Sequence, residues 1–100
     1  MTESSLHIPV MLDEVITALM PAAGKVFIDA TFGNGGYSRA LLESADCRVA
    51  AIDRDPDAIL RGQPMLQGYQ GRFSLLEGNF SQIARLCADA GIDQADGIVF

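Results

Sequence analysis

Residues 29–40 read DATFGNGGYSRA and follow directly on the apolar run KVFI. That order describes a strand ending in a carboxylate, a turn almost free of side-chain bulk, and a helix whose first N–H groups face the same space. Gly33, Gly35 and Gly36 can take positive φ and put no Cβ between the backbone and a bound group. A second apolar run, CRVAAID, ends in Asp53. It lies about twenty residues on, where dinucleotide and nucleoside folds place an acid that accepts both ribose hydroxyls. A third run ends in EGNFSQ, where Asn79 or its neighbour could bond a base edge and Phe80 could lie on a purine face. Three strand ends therefore offer glycines, a ribose acid and a base contact. Each also has a plainer reading: the glycines as a tight turn, an acid as a helix cap, and Phe80 as the first core residue of the next helix. Asp55, directly before Pro56, suits the capping role better than Asp53 and so leaves Asp53 for a ligand.

The chemistry narrows further by motif. No GxxxxGK[ST] string occurs, which excludes that device for holding ATP or GTP. A dinucleotide prefers GxGxxG, and the register here sets Ser38 at the third glycine, where close helix packing disfavours a side chain. A nicotinamide oxidoreductase is thus the weaker of the enzyme readings. S-adenosylmethionine has no pyrophosphate and asks only for backbone approach around its amino-acid part and an acid for its amino group. Asp29 is placed for that acid, or equally to fix the glycine loop by accepting its N–H groups. A noncatalytic nucleoside-binding or pairing module is a third reading.

Positioning these residues requires alternating elements. MLDEVITALM carries apolar residues at helical spacing and stops at Pro21; KVFIDA reads as a strand, YSRALLESA as a helix and CRVAAID as a strand. A helix is predicted from Pro56 to just before Gly68, a strand over FSLLEG, a helix over NFSQIARLCADAG closed by Gly91, and a last strand in DGIVF. One helix followed by β-α-β-α-β-α-β implies an α/β fold, a parallel sheet with flanking helices and ligands at the strands' C-terminal ends. Four strands make half of a doubly wound domain. The chain is therefore expected to be part of a longer protein, or to have its last strand covered by a partner, a homodimer being one form.

Composition agrees. The 100 residues are 49% hydrophobic and 20% charged, enough for a single core. A net charge of −6 with only seven Lys and Arg argues against nonspecific attraction of nucleic acid by this surface. Cys47 and Cys87 stand apart beside aliphatic residues and read as buried reduced thiols rather than a disulfide or zinc pair, and no metal site is expected. With no leader and no apolar stretch near the ~20 residues of a membrane span, the expectation is a cytoplasmic protein without membrane contact.

The strings HIPVMLDEV, FIDATFGNGGYSRA, AIDRDPDAI, RFSLLEGNFS and the closing DGIVF together resemble the bacterial methyltransferases that modify N4 of a cytosine in small-subunit ribosomal RNA. The resemblance covers nearly the whole chain, in the same order and at similar spacing. It implies a Rossmann-like class I methyltransferase fold, S-adenosylmethionine as cofactor, and small-subunit ribosomal RNA as partner. Carried over by position, the cofactor-binding residues are Gly35, Gly36, Tyr37, Asp53 and Phe80. Tyr37 stands where the family pattern has histidine, which leaves a main-chain role there intact. His7, Pro9, Asp13 and Glu14 belong to the opening string and receive no catalytic role. The resemblance also implies that residues 1–100 are the N-terminal part of the cofactor domain, with an acidic loop and a helical substrate domain following in the family. The implied chemistry is in-line attack of the cytosine amine on a sulfonium methyl. No residue here recommends itself as a general base, and the catalytic residues are left unassigned.

Overall fold

The computed structural model describes residues 12–92 and 94–99, without the side chains of Asp13 and Phe80. His7, Pro9 and Phe100 lie outside the described residues. The elements are α1 (Leu12–Leu19), β1 (Val26–Asp29), α2 (Gly36–Ser44), β2 (Arg48–Asp53), α3 (Pro56–Arg61), α4 (Gln63–Gly68), β3 (Phe73–Glu77), a 3-10 turn (Phe80–Gln82), α5 (Ile83–Asp89) and β4 (Gly97–Val99). The four strands form one parallel sheet in the order β3-β2-β1-β4. The predicted alternation is present, with β1 and β2 as the inner strands, each flanked on both edges.

Burial divides the sheet into two faces. Phe27, Val49, Ala51 and Phe73 pack with Phe32, Leu41, Leu42, Ala58 and Met65 in the larger core cluster. Ile28, Ile52 and Cys87 form the smaller one, on which Leu76, Ile83, Leu86 and Ile92 of β3, α5 and its C-terminal turn close. Both cysteines are free and buried, and burial pushes both thiols up from their ordinary range, the nearby Arg72 opposing this for Cys47. That matches the expectation of buried reduced thiols. Among the described residues no helix is long and apolar enough to cross a membrane.

The predicted third helix is broken in two. Its start is as expected: Pro56 opens α3 and the Asp55 carboxylate accepts the Asp57 N–H at 2.9 Å. The break falls at Gly62, ahead of Pro64, whose ring supplies no N–H to continue the ladder. Gly62 also packs close to β3 and the glycine loop, since a Cβ there would stand 2.6 Å from Leu75 and 2.9 Å from Phe32. The helix predicted from Asn79 begins instead as a 3-10 turn, in which the Gln82 side chain accepts the Asn79 N–H at 2.9 Å. Its predicted end holds, with Gly91 at φ 82° behind α5.

Arg72 fixes the far end of α2. Its guanidinium donates to the carbonyls of Leu42 and Ala45, both at 2.6 Å, and of Cys47 at 3.0 Å, with Asp46 at 3.1 Å. Leu42 lies in the last turn of α2 and Ala45 is its C-cap, where carbonyls have no partner within the helix. The helix that begins at the glycine loop is thereby tied down at its other end.

Candidate functional site

The C-terminal ends of β1, β2 and β3 meet at an open cleft of ≈ 460 Å³ lined by Ala30, Asp53, Arg54, Gly78, Asn79 and Ser81. This is the edge at which parallel α/β sheets bind ligands. The strands are staggered there. Asp29 pairs with Ala51, so β2 runs two residues past β1 before Asp53 pairs with Glu77 of β3. The glycine loop drops into the step this leaves: the Phe32 N–H reaches the Ile52 carbonyl at 3.5 Å, and the Gly33 N–H is accepted by Asp53 Oδ2 at 3.0 Å.

Asp53 is therefore at the cleft, as expected, but it is not unengaged. Its Oδ1 accepts the Asp55 N–H at 2.9 Å while Oδ2 holds Gly33. A carboxylate has about four acceptor positions, so two remain for a ligand's hydroxyls. It is half-buried, which leaves those positions in reach of the cleft.

Asp29 has the other of its two expected roles. It is 0% exposed, with Oδ1 accepting the Thr31 N–H at 2.9 Å and the Thr31 hydroxyl at 3.1 Å, and Oδ2 accepting the Ser38 hydroxyl at 2.7 Å. It fixes the loop and is closed to solvent. Ser38, also 0% exposed, shows how a side chain fits at the third-glycine position: its hydroxyl is consumed by the carboxylate beneath it.

Gly35 takes φ 87° as the N-cap of α2, and a Cβ there would meet Met65 at 3.0 Å and Phe32 at 3.3 Å. Its own N–H is donated to the Phe32 carbonyl at 2.7 Å. Its lack of a side chain thus serves the core packing beneath the loop and the left-handed turn. Gly36 and Tyr37, half-buried, form the first turn of α2, ahead of the first intrahelical bond from Arg39 N–H to the Gly35 carbonyl at 2.9 Å. No side chain caps that turn and no acid lies in it. Its amides are suited to an anionic group, as helix N-termini are.

At the third strand end, Gly78 donates to the Asp53 carbonyl at 3.0 Å and Asn79 is exposed on the cleft wall. Gly78 is small because α5 approaches it, Leu86 standing 2.6 Å from where a Cβ would be. The backbone of Phe80 begins the 3-10 turn beside Asn79; its side chain lies outside the described residues. The sequence did not single out Ala30, Arg54 or Ser81 as cleft residues. Arg54 had a signal, being the long side chain directly after Asp53. Ala30 and Ser81 had none, since small residues mark a wall only once the strands are assembled.

The profile of the MraW methylase family matches residues 4–100. The chain is 52% identical over 99 residues to the ribosomal RNA small subunit methyltransferase H of Granulibacter bethesdensis, covering 98% of this chain and 30% of that protein. It is 56% identical over 92 residues to the protein of the same name from Rhodospirillum rubrum, covering 92% of this chain and 28% of that one. The chain thus spans under a third of the length of these curated relatives. Among solved structures, the C-terminal domain of precorrin-6Y C5,15-methyltransferase from Rhodobacter capsulatus superposes with a TM-score of 0.71 at 20% identity, over 98% of this chain and 54% of that one. That likeness shows a shared fold.

Proposed function

Because the chain belongs to the MraW methylase family, we propose that it is the cofactor-binding part of an S-adenosylmethionine-dependent methyltransferase acting on N4 of a cytosine in small-subunit ribosomal RNA. On this reading residues 1–100 are the N-terminal part of the cofactor domain, and the substrate-binding part lies in the remaining length that the relatives possess. The observation that carries it is the 3.0 Å bond from the Gly33 N–H to Asp53, which unites the glycine loop and the ribose acid at one cleft.

The residues present fit the cofactor. Asp53 keeps acceptor positions for a ribose diol, the small walls at Ala30, Gly78 and Ser81 leave room for a nucleoside, and Asn79 is exposed at the end this reading gives to the base, with the contact to the base face assigned to Phe80 by the resemblance. The uncapped first turn at Gly36 and Tyr37 suits the carboxylate of the amino-acid part. S-adenosylmethionine supplies an electrophilic methyl group. The chain's own contribution is alignment, holding the sulfonium end in one orientation so that an amine can approach in line. The cytosine must leave its stack to reach such a site. With a net charge of −6, this part is poorly suited to hold RNA phosphates, so the RNA partner binds mainly through the rest of the protein.

Calorimetry with S-adenosylhomocysteine tests the reading directly. Binding is expected, and Asp53→Ala is expected to weaken it at least about tenfold, the worth of one to two charge-assisted hydrogen bonds. Equal affinity in that variant defeats the ribose assignment. Binding of NAD in place of S-adenosylhomocysteine would favour a dehydrogenase instead.

A further inference from the structure

The loop between β1 and α2 is held at three points by two carboxylates. Asp53 holds its middle through Gly33, and Asp29 holds both ends, Thr31 just behind the strand and Ser38 in the first turn of the helix. The two carboxylates differ in access, since Asp29 is 0% exposed and Asp53 faces the cleft. No ligand group reaches Asp29 without opening the core. Ser38 is likewise 0% exposed and does not line the cleft. A buried carboxylate is costly unless its oxygens are satisfied, and Ser38 supplies the only donor to Oδ2 among the described residues, at 2.7 Å.

We infer that Ser38 is a positioning residue for the amino-acid end of the adenosyl ligand, acting through the buried Asp29 carboxylate on the glycine loop. The inference rests on the cofactor reading above. Ser38 belongs to the same turn as Gly36 and Tyr37, whose amides that reading assigns to the ligand's carboxylate. The Ser38–Asp29 bond sets how deep that turn sits against the end of β1. Without it the turn is free to shift relative to Asp53, so the ligand's two ends no longer meet both partners at once. The ribose end is held by Asp53 from the neighbouring strand, which meets the loop at Gly33, ahead of the turn that carries Ser38, and so depends less on this bond. The consequence is a split: loss of Ser38's hydroxyl should weaken ligands that carry the amino-acid tail and spare those that lack it.

The test compares S-adenosylhomocysteine with adenosine by calorimetry on the wild-type chain, Ser38→Ala, Asp29→Asn and the double variant. For Ser38→Ala, S-adenosylhomocysteine affinity is expected to fall roughly tenfold, about one hydrogen bond to a charged group, with adenosine affinity held within about twofold. Because Ser38 acts through Asp29, adding Ser38→Ala to Asp29→Asn should cost little more than Asp29→Asn alone. A parallel loss for both ligands, no loss for either, or full additivity in the double variant overturns the inference. Should Ser38→Ala fail to fold in a thermal melt, Thr31→Val at an exposed position removes the hydroxyl bond to Oδ1, and must show a smaller split of the same sign or the inference falls. A wild-type chain that binds neither ligand would instead refute the cofactor reading itself.

Discussion

Asp29 and Asp53 end adjacent parallel strands and both accept hydrogen bonds from the glycine loop, yet their surroundings differ. Asp29 closes β1, which is flanked by β2 and β4 and stops two residues short of β2; the loop folds back over it and leaves it 0% exposed. Asp53 closes β2 beyond that step, paired with Glu77 and open to the cleft. The strand stagger thus decides which of two like residues holds structure and which is available to a ligand. Here the acid left open to the cleft is the one whose strand outruns β1, the strand that leads into the glycine loop.

The largest expected effect separates the two acids by stability. Asp29→Ala removes the acceptor for the N–H and hydroxyl of the exposed Thr31 and for the hydroxyl of the buried Ser38. The buried Ser38 hydroxyl left unpaired costs about 1–3 kcal/mol and the two lost Thr31 bonds about 1 kcal/mol each, so the loss should be about 3 kcal/mol or more, a large share of the roughly 5–15 kcal/mol that holds a domain of this size. Asp53→Ala leaves two N–H groups that water can reach from the cleft, and should cost about 1 kcal/mol. Urea unfolding of both variants checks this. Equal losses would mean that the burial difference has no energetic content.

Much of the molecule is read correctly from local signals, and the exceptions have a common cause. The alternation of strands and helices, the Asp55–Pro56 helix start and the Gly91 stop each depend on a few neighbouring residues, and each is present. The choice between Asp29's two roles depends on how far β1 runs relative to β2, a distance that no stretch of sequence encodes by itself. The Gly33–Asp53 bond and the Arg72 clamp on α2 are likewise contacts between residues far apart in the chain. The divided helix is different, because its signal was in view: Pro64 lies inside the apolar pattern, and that pattern alone suggested a continuous helix. The cleft residue Arg54 also had a local signal in its place beside Asp53, whereas the cleft's small walls become recognisable only when three strand ends are brought together.

The same division between a buried and an open side should run through the glycines of the loop, with smaller effects. Gly35 and Gly33 both have positive φ, 87° and 52°, so alanine is strained by the backbone at either position. That common term is about 1 kcal/mol. Their surroundings then separate them. At Gly35 a Cβ would press on Met65 at 3.0 Å and on the Phe32 ring at 3.3 Å, both in the larger core cluster, whereas at Gly33 the nearest atom is the Thr31 carbonyl at 3.7 Å. Gly35→Ala should therefore cost about 2 kcal/mol or more, the backbone strain plus a small overpacking term, and Gly33→Ala close to the strain alone. Ligand affinity should respond in the opposite sense, because Gly33 is the residue bonded to Asp53 and a shift there displaces that carboxylate directly. Thermal unfolding and S-adenosylhomocysteine titration of the two variants give both rankings at once. If Gly33→Ala proves the more destabilising, the loop is braced from the cleft side, and the asymmetry drawn between the two strand ends is reversed.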